Sequence, residues 1–200
     1  MRSPLRRTAA TDPNATLRLP QTISDGDLFA RLRADDADAL DFALKQHWVL
    51  VVDYVKRMAT TADAAEDIAQ RAFLQLWDRR ASWRAEGSMR ALLCRIARNF
   101  AISEHRRQSA DERSATAFVE LSAPTVPARD TVEAEQLRSA LDREISLLPA
   151  RRREIVVLRC VHDLSYKEIA EVMNIAPQTV ANQLSSALAT LRLSLRELLD

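Results

Sequence analysis

Apolar residues recur at intervals of three and four through two long parts of the chain, residues 23–108 and residues 133–200. Such intervals mark the buried face of a helix, whereas no part of the chain alternates apolar and polar residues over the length of a strand. We therefore predict an all-α fold with two helical domains. Residues 1–22 lack the pattern and are interpreted as a flexible tail. Residues 109–132 hold small polar residues and two prolines, a composition that favours a flexible linker.

The clearest local pattern lies near the C-terminus. Ser165 and Glu168 are spaced as a capping box, in which each side chain satisfies a free backbone N–H at a helix start. This helix is expected to end near Asn174, because Pro177 disfavours the helical conformation for the residue before it. Pro177 itself suits the first turn of a second helix. Two helices joined by so short a turn predict a helix-turn-helix in the C-terminal domain, of the winged-helix-like DNA-binding class.

The second helix of this pair has one apolar and one polar face. Its apolar residues step by three, four or seven and are Val180, Leu184, Leu188, Leu191, Leu195 and Leu198. A helix that contacts base edges in the DNA major groove needs a short polar face placed after a tight turn. The residues of that face are Gln178, Thr179, Asn182, Gln183, Ser185 and Ser186. An ordinary helical hairpin with a polar outer side is the alternative interpretation.

Residues 90–108 form a predicted helix with five arginines and a single acid, Glu104. Apolar residues supply one side of this helix, so that most of the arginines face another surface. Arginines clustered on one helical face are typical of phosphate binding, and the amide of Asn99 among them can hydrogen-bond a base edge. A solvated helix face is the alternative. Trp83, in the preceding connector, can stack on an unpaired base, but a place in the core or at the domain edge is favoured.

The preceding predicted helix, residues 64–80, has a mixed polar face and ends in a large aromatic ring, Trp77. Aromatic rings contribute much of the binding energy of protein interfaces, so this helix is a candidate for docking another protein. The alternative is that both of its rings belong to the core, which we favour for Phe73.

Composition narrows the class of protein. No apolar run approaches the roughly 18 residues of a membrane span, and no secretory signal follows the first arginines. Cys94 and Cys160 lack a CxxC or CxxH partner, so two buried, reduced thiols in a cytoplasmic protein are expected. The three histidines lie far apart, and no zinc spacing, nucleophile elbow or glycine-rich phosphate loop occurs. No enzyme activity, metal or cofactor is therefore expected.

Two segments together resemble a known family. The first segment is AAEDIAQRAFLQLW followed by SMRALLCRIARNFAISEHRRQ. It closely resembles the second conserved region of bacterial sigma factors of the extracytoplasmic-function class, in the sigma-70 superfamily. Their fourth region resembles LDREISLLPARRREIVVLRCVHDLSYKEIAEVMNIAPQTVANQLSSALATLR. The likeness covers about residues 27–108 and 132–198. It implies a sigma factor that binds core RNA polymerase and directs promoter-specific transcription initiation.

The resemblance also implies site residues and partners. Docking on the β′ clamp of the polymerase is expected from Asp67, Gln70 and Trp77. Recognition and melting of the promoter −10 element are expected from Arg95, Arg98, Asn99, Ser103, Arg106 and Arg107. Recognition of the −35 element is expected from Lys167, Gln178, Thr179, Asn182, Gln183 and Ser186. Further expected partners are the polymerase β flap and an anti-sigma factor, with no membrane insertion.

The linker is long enough for such a division. Residues 109–133, fully extended, span roughly 80 Å, which exceeds two helical turns of DNA at roughly 34–36 Å each.

The chain departs from the family pattern at Ala181, Gln183 and Ser186, where many members have lysine or arginine. Ala176 or Pro177 occupies the region where many members have a serine cap, and losing such a cap typically costs ~1 kcal/mol. Arg71 replaces an acid that is common in the docking helix.

Two other classes of function remain open on the sequence alone. One is a helix-turn-helix repressor or activator without a sigma role. The other is an interaction protein that docks polymerase or another factor and never reads DNA.

Overall fold

The computed structural model describes residues 23–58, 62–83, 87–112 and 132–199. All regular secondary structure in these residues is helical, and they contain no strand, which confirms the all-α prediction. In chain order the helices are α1 (Asp25–Arg33), α2 (Ala37–Lys56), α3 (Ala62–Asp78), α4 (Met89–Glu112), α5 (Val132–Leu147), α6 (Ala150–Val156), α7 (Tyr166–Met173) and α8 (Pro177–Leu199). A short 3₁₀ turn follows α3 at Arg80–Ser82, and a π-helical turn extends α6 over Val157–Val161.

The predicted tail and linker fall largely outside the described residues. The whole tail, residues 1–22, is outside them, and so are linker residues 113–131. Helix α4 continues past the predicted start of the linker, to Glu112. None of the helices within the described ranges combines the length and the apolar character that crossing a bilayer requires.

Helices α1 to α4 form the N-terminal domain, whose buried apolar residues join those of the second domain in one continuous cluster. Side-chain caps start the first two helices: the hydroxyl of Ser24 accepts the N–H of Asp27, and the carboxylate of Asp36 accepts the N–H of Asp38. Helices α2, α3 and α4 then pack on one another through their apolar stripes. The largest fully buried side chains of this domain are Leu28, Leu32, Val51, Tyr54, Val55, Leu76, Met89 and Leu93.

The helix-turn-helix is formed by α7 and α8 as predicted. The capping box is present, because the Ser165 hydroxyl accepts the Glu168 N–H at 3.3 Å and Glu168 Oε2 accepts the Ser165 N–H at 2.8 Å. Helix α7 ends at Met173 with Asn174 as its C-cap, which confirms the predicted end near Asn174. Asn174 adopts a left-handed conformation with φ of 53°, which asparagine tolerates better than most residues. That cap ends the helix three residues before Pro177 opens α8.

The prediction of two buried thiols is wrong for one cysteine. Cys94 is buried in α4, but Cys160 is exposed. Cys160 lies in the π-helical turn, which has more residues per turn than an α-helix. Positions beyond the start of that turn are therefore rotated away from the buried face that an α-helical count assigns to them.

The two helical domains pack against each other, mainly through α4 of the first and α7 of the second. Ion pairs cross this contact, so that charged side chains of one domain are covered by the other. The structure is therefore a closed arrangement of the two domains.

Candidate nucleic-acid interface

Helix α4 presents the arginine face, which we define as Arg90, Arg95, Arg98, Arg106 and Arg107. Arg95, Arg106 and Arg107 are exposed, as expected for a phosphate-binding surface. Arg98 is not open to solvent, because the second domain covers it and leaves 16% of its side chain accessible. Arg90 is also partly covered. Three of the five arginines are thus exposed, and the other two form ion pairs with the second domain.

Glu154 of α6 is the partner of Arg98. Arg98 donates from Nε to Glu154 Oε1 at 2.6 Å and from Nη2 to Oε2 at 3.3 Å. The Tyr54 hydroxyl donates to the same Oε1 at 2.6 Å. Burial, followed by the neighbouring Glu154 carboxylate, raises the pKa of Tyr54 well above its ordinary value. The phenol therefore keeps its proton and remains a donor to the carboxylate.

Glu168 of α7 is the partner of Arg90. Arg90 donates from Nε and Nη2 to the two carboxylate oxygens, at 2.7 and 2.9 Å. Burial alone would raise the pKa of Glu168, but the bonds from Arg90 and from Ser165 together lower it to about 2. Glu168 is thus charged at any physiological pH. The same side chain serves both the capping box of α7 and the contact between the domains.

The remaining candidates for the −10 site lie along the open part of α4. Asn99 and Ser103 are exposed, and the Ser103 hydroxyl donates to the Asn99 carbonyl at 2.8 Å. At the start of α4 the surface is concave. A cavity of about 350 Å³ is lined there by Trp83, Gly87 and Arg95 of the first domain and by Glu171 of the second.

Trp83 is held by its own domain. Its ring packs against the core, and its Nε1 donates to the Leu76 carbonyl at 3.0 Å. The favoured interpretation, an aromatic at the domain edge, is confirmed.

Helix α3 carries the predicted docking residues. Asp67 and Gln70 are exposed, and Trp77 is half-buried, with the Arg80 guanidinium 4.3 Å from its ring centroid. Phe73 is buried, which confirms the core interpretation for that ring. Arg71, the departure from the family pattern, lies 4.6 Å above the Phe100 ring and has a structural partner in its own domain.

The first turns of α8 form the polar surface of the helix-turn-helix. Gln178, Thr179 and Asn182 are exposed, as is Lys167 on α7, whereas Gln183 and Ser186 are half-buried. Gln178 donates to Asn182 at 3.1 Å, so the two amides are already aligned along the helix.

Arg152 is a functional candidate that the sequence reasoning missed. It lies on α6 and donates from Nε to Gln183 Oε1 at 3.3 Å, which places a positive charge beside the polar face of α8. The only signal in the sequence is the run of three arginines at 151–153. The first turns of α8, residues 177–187, carry no lysine or arginine of their own.

The three histidines differ in their burial. His47 is buried in the first domain, and burial lowers its pKa. The His162 side chain is 6% exposed, and its Nε2 lies 3.3 Å from Asp53 Oδ2 across the domain contact without hydrogen-bonding geometry. His105 is exposed. Among the described residues, no cluster of histidine, cysteine or carboxylate side chains is arranged to hold a metal ion.

An arginine-faced helical domain and a helix-turn-helix on one chain define a DNA-binding protein with two distinct surfaces. The family models for sigma-70 region 2 and sigma-70 region 4 match residues 44–110 and 138–191. The chain belongs to the sigma-70 family of transcription initiation factors, in its extracytoplasmic-function group. It acts with core RNA polymerase in promoter-specific initiation.

Individual relatives agree with this assignment. The ECF RNA polymerase sigma factor SigW of Bacillus subtilis is 30% identical over 151 residues, which cover 71% of this chain and 81% of the relative. The ECF RNA polymerase sigma-E factor of Escherichia coli is 26% identical, over 84% and 93% of the two chains. The fold is similar to that of the sigma factor RpoE from Bartonella quintana, solved in complex with the anti-sigma factor NepR. That structure has a TM-score of 0.63 and 22% identity, over 76% and 96% of the two chains.

Proposed function

We propose that the two domains divide promoter recognition, with helix α4 of domain 23–108 acting at the −10 element and α7–α8 of domain 133–200 acting at −35. The observation that carries this proposal is the different chemistry of the two surfaces. Helix α4 offers clustered guanidinium groups beside a concave pocket, whereas α8 offers short amide and hydroxyl side chains at its N-terminal end.

The surface of α8 suits intact duplex DNA. In a helix-turn-helix the N-terminal residues of the second helix contact base edges in the major groove. Gln178, Thr179 and Asn182 occupy those positions and are exposed. Asparagine and glutamine can pair bidentately with adenine. Lys167 and Arg152 then contribute charge for the phosphate backbone, which determines register rather than sequence. Gln183 and Ser186 complete the proposed −35 set.

The surface of α4 suits DNA that is being opened. Strand separation needs cations along the phosphates and a pocket for an unstacked base. Arg95, Arg106 and Arg107 supply the exposed cations, and Asn99 and Ser103 supply polar groups between them. The cavity of about 350 Å³ beside Arg95 is the candidate base pocket. Arg98 joins this set only when Glu154 releases it.

Helix α3 is the proposed docking surface for the β′ clamp. Asp67 and Gln70 are exposed on one side of the helix, and Trp77 stands near its end with part of its ring accessible. An aromatic anchor flanked by polar groups is typical of a protein interface. The second domain is proposed to contact the β flap.

The linker must allow both sites to be used together. Residues 113–131 connect Glu112 to Val132 and, fully extended, reach roughly 60 Å. That reach is somewhat shorter than two turns of DNA, roughly 70 Å, so the domains themselves must span the remaining distance between the two sites.

The remaining parts of the proposal concern the cell. We assign the chain no catalytic activity of its own, because the polymerase performs the chemistry, and we place it in the cytoplasm with its polymerase. An anti-sigma factor is a proposed partner, supported by the similar fold of the Bartonella quintana sigma factor, which was solved bound to one.

Two double variants test the division of labour in transcription with purified core enzyme. Asn182→Ala with Gln178→Ala is expected to reduce formation of the closed promoter complex. Arg106→Ala with Arg107→Ala is expected to leave closed complexes in place and to reduce opening, read by permanganate reactivity of unpaired thymines. If the Arg106→Ala/Arg107→Ala variant opens the promoter as well as the native chain, the −10 assignment is wrong.

A further inference from the structure

We propose that a cavity lined by helices α2, α4 and α6 is a binding site for a small molecule, a short aliphatic carboxylate. This cavity, the interdomain cavity, has a volume of about 300 Å³. It is separate from the cavity beside Arg95 that is proposed to hold an unstacked base. The site does not depend on the assignment of either promoter element.

The wall of the interdomain cavity is largely aliphatic. Ala101 and Ile102 of α4, Met58 after α2, and Val157 after α6 all line it. Ligand pockets are mostly apolar, with a few polar groups that orient the ligand, and they range from about 300 to about 1,000 Å³. A cavity at the lower end of that range, with aliphatic walls, fits a short alkyl chain.

Guanidinium groups complete the lining. Arg57, Arg106 and Arg153 all contribute to it. Arg57 is already paired within the protein, with Asp53 at 3.2 Å and with Asp142 at 3.5 Å. Arg106 is exposed to solvent. Arg106 and Arg153 are therefore the cations that can meet a ligand.

Arg153 has a donor without a partner. Its Nη2 donates to the Leu148 carbonyl at 3.1 Å, whereas its Nε is buried and meets no acceptor among the described residues. Buried polar groups are nearly always hydrogen-bonded, and an unpaired donor is most costly on a charged group. A carboxylate oxygen in the cavity is a suitable acceptor, because guanidinium binds carboxylate through both charge and directed hydrogen bonds.

The one carboxylate in the lining does not cancel this positive charge. Glu154 Oε1 accepts from Arg98 Nε and from the Tyr54 hydroxyl, both at 2.6 Å, and Oε2 accepts from Arg98 Nη2 at 3.3 Å. Arg98 therefore balances its charge. His105 also lines the cavity and adds no negative charge in either protonation state. The uncompensated charge of the cavity is positive, which selects an anion over a neutral or cationic ligand.

The two parts of the ligand have separate roles in this site. The carboxylate pairs with Arg153, and the alkyl chain packs on Ile102 and Val157. Burial of apolar surface tightens binding by up to about fourfold for each CH₂ group, until the cavity is filled. A ligand that binds only the folded chain also raises its melting temperature as the ligand concentration rises.

Titration calorimetry on the full chain tests the site with butyrate, hexanoate and octanoate, and with 1-octanol as the uncharged analogue. We expect saturable binding of one carboxylate per chain, with affinity that increases with chain length. Octanol should bind more weakly than octanoate. Absence of saturable octanoate binding at millimolar concentration overturns the proposal, and so does affinity that does not depend on chain length.

A first pair of variants tests the charge. Arg153→Gln is expected to weaken octanoate binding by about tenfold or more, because a hydrogen bond to a charged group is lost, and to leave octanol binding unchanged. Retained octanol binding also shows that the variant is folded. Arg151→Gln is the matched control, at an exposed position on the same helix that does not line the cavity. Equal effects of the two substitutions on octanoate binding would reduce the interaction to general charge attraction and overturn the site.

A second pair of variants tests the location. Ala150 lines the cavity and is the exposed first residue of α6, and Ala37 is the exposed first residue of α2, outside the lining. Ala150→Trp is expected to weaken binding of both octanoate and octanol by about tenfold, because the indole occupies part of the cavity. Ala37→Trp should leave both affinities unchanged. Octanoate binding that is unaffected by Ala150→Trp would place the ligand elsewhere and overturn the proposal.

Discussion

Glu154 on α6 and Arg98 on α4 lie 56 positions apart in the sequence and form a two-pronged ion pair between the domains. The pair is nearly buried, and Tyr54 adds a third hydrogen bond. Arg98, which is proposed to act at the −10 element, is therefore engaged by Glu154 in the free chain.

Replacing Arg98 by alanine is expected to destabilise the free chain. The substitution leaves Glu154 buried without its cation, and removing one partner of a buried ion pair costs about 3 kcal/mol. Arg106→Ala is the matched control, because Arg106 is exposed and such changes stay within about 0.5 kcal/mol. Urea denaturation measures both. Equal free energies of unfolding in the two variants would contradict the buried pair.

Acidification is expected to open the domains through His162. Burial lowers the pKa of His162, Asp53 raises it, and Arg57 lowers it, with a net decrease. The Tyr54 ring is the other group that meets it edge-on, at 6.3 Å. Because the closed form holds the neutral imidazole, its stabilisation is present above the ordinary pKa of about 6.5 and is lost as the pH falls below that value.

Small-angle scattering between about pH 7.5 and about pH 5.5 measures this effect. We expect the radius of gyration to increase at the lower pH in the native chain. His162→Gln should remove most of the increase, and His105→Gln, at an exposed position, should retain it. An increase that persists in His162→Gln would assign the pH response to another group.

Loss of the capping box is expected to weaken α7. Ser165→Ala removes the hydroxyl that accepts the Glu168 N–H, and losing such a cap costs about 1 kcal/mol. The melting temperature of the full chain should fall, whereas Ser185→Ala on the exposed side of α8 should not lower it. If both variants have the melting temperature of the native chain, the capping box contributes nothing to stability.

Arg152→Ala is expected to weaken −35 binding without changing its sequence preference. A lysine or arginine that contacts phosphate contributes about one unit to the slope of log affinity against log salt. Asn182→Ala should instead relax the preference at one base position, because an asparagine contact to a base edge carries specificity. Binding to a −35 duplex and its single-base variants distinguishes the two. An unchanged salt slope for Arg152→Ala would exclude a phosphate contact.

Local features of this fold could be predicted because the signals lie within a few residues. The Ser165–Glu168 box, the stop at Asn174 and the polar face of α8 each depend on neighbours along one helix or turn. Helical periodicity assigns residues to faces, and it does so correctly for most of the buried positions.

Contacts between the domains could not be predicted in the same way. Nothing in residues 90–107 indicates that Arg98 meets Glu154 or that Arg90 meets Glu168, because those partners belong to another domain. Arg152 was missed because its link to Gln183 joins two helices of the second domain that are distant in the sequence. Cys160 was misplaced because a π-helical turn interrupts the α-helical count.

Energy transfer between one dye on each domain measures directly whether the two domains separate on the promoter. The free chain should show high transfer, because α4 and α7 are in contact. On core polymerase with promoter DNA, transfer should be largely lost, because the two sites then lie about two helical turns, roughly 70 Å, apart. Equally high transfer in the free chain and in the promoter complex would contradict the proposal that the two domains act at two separate promoter elements.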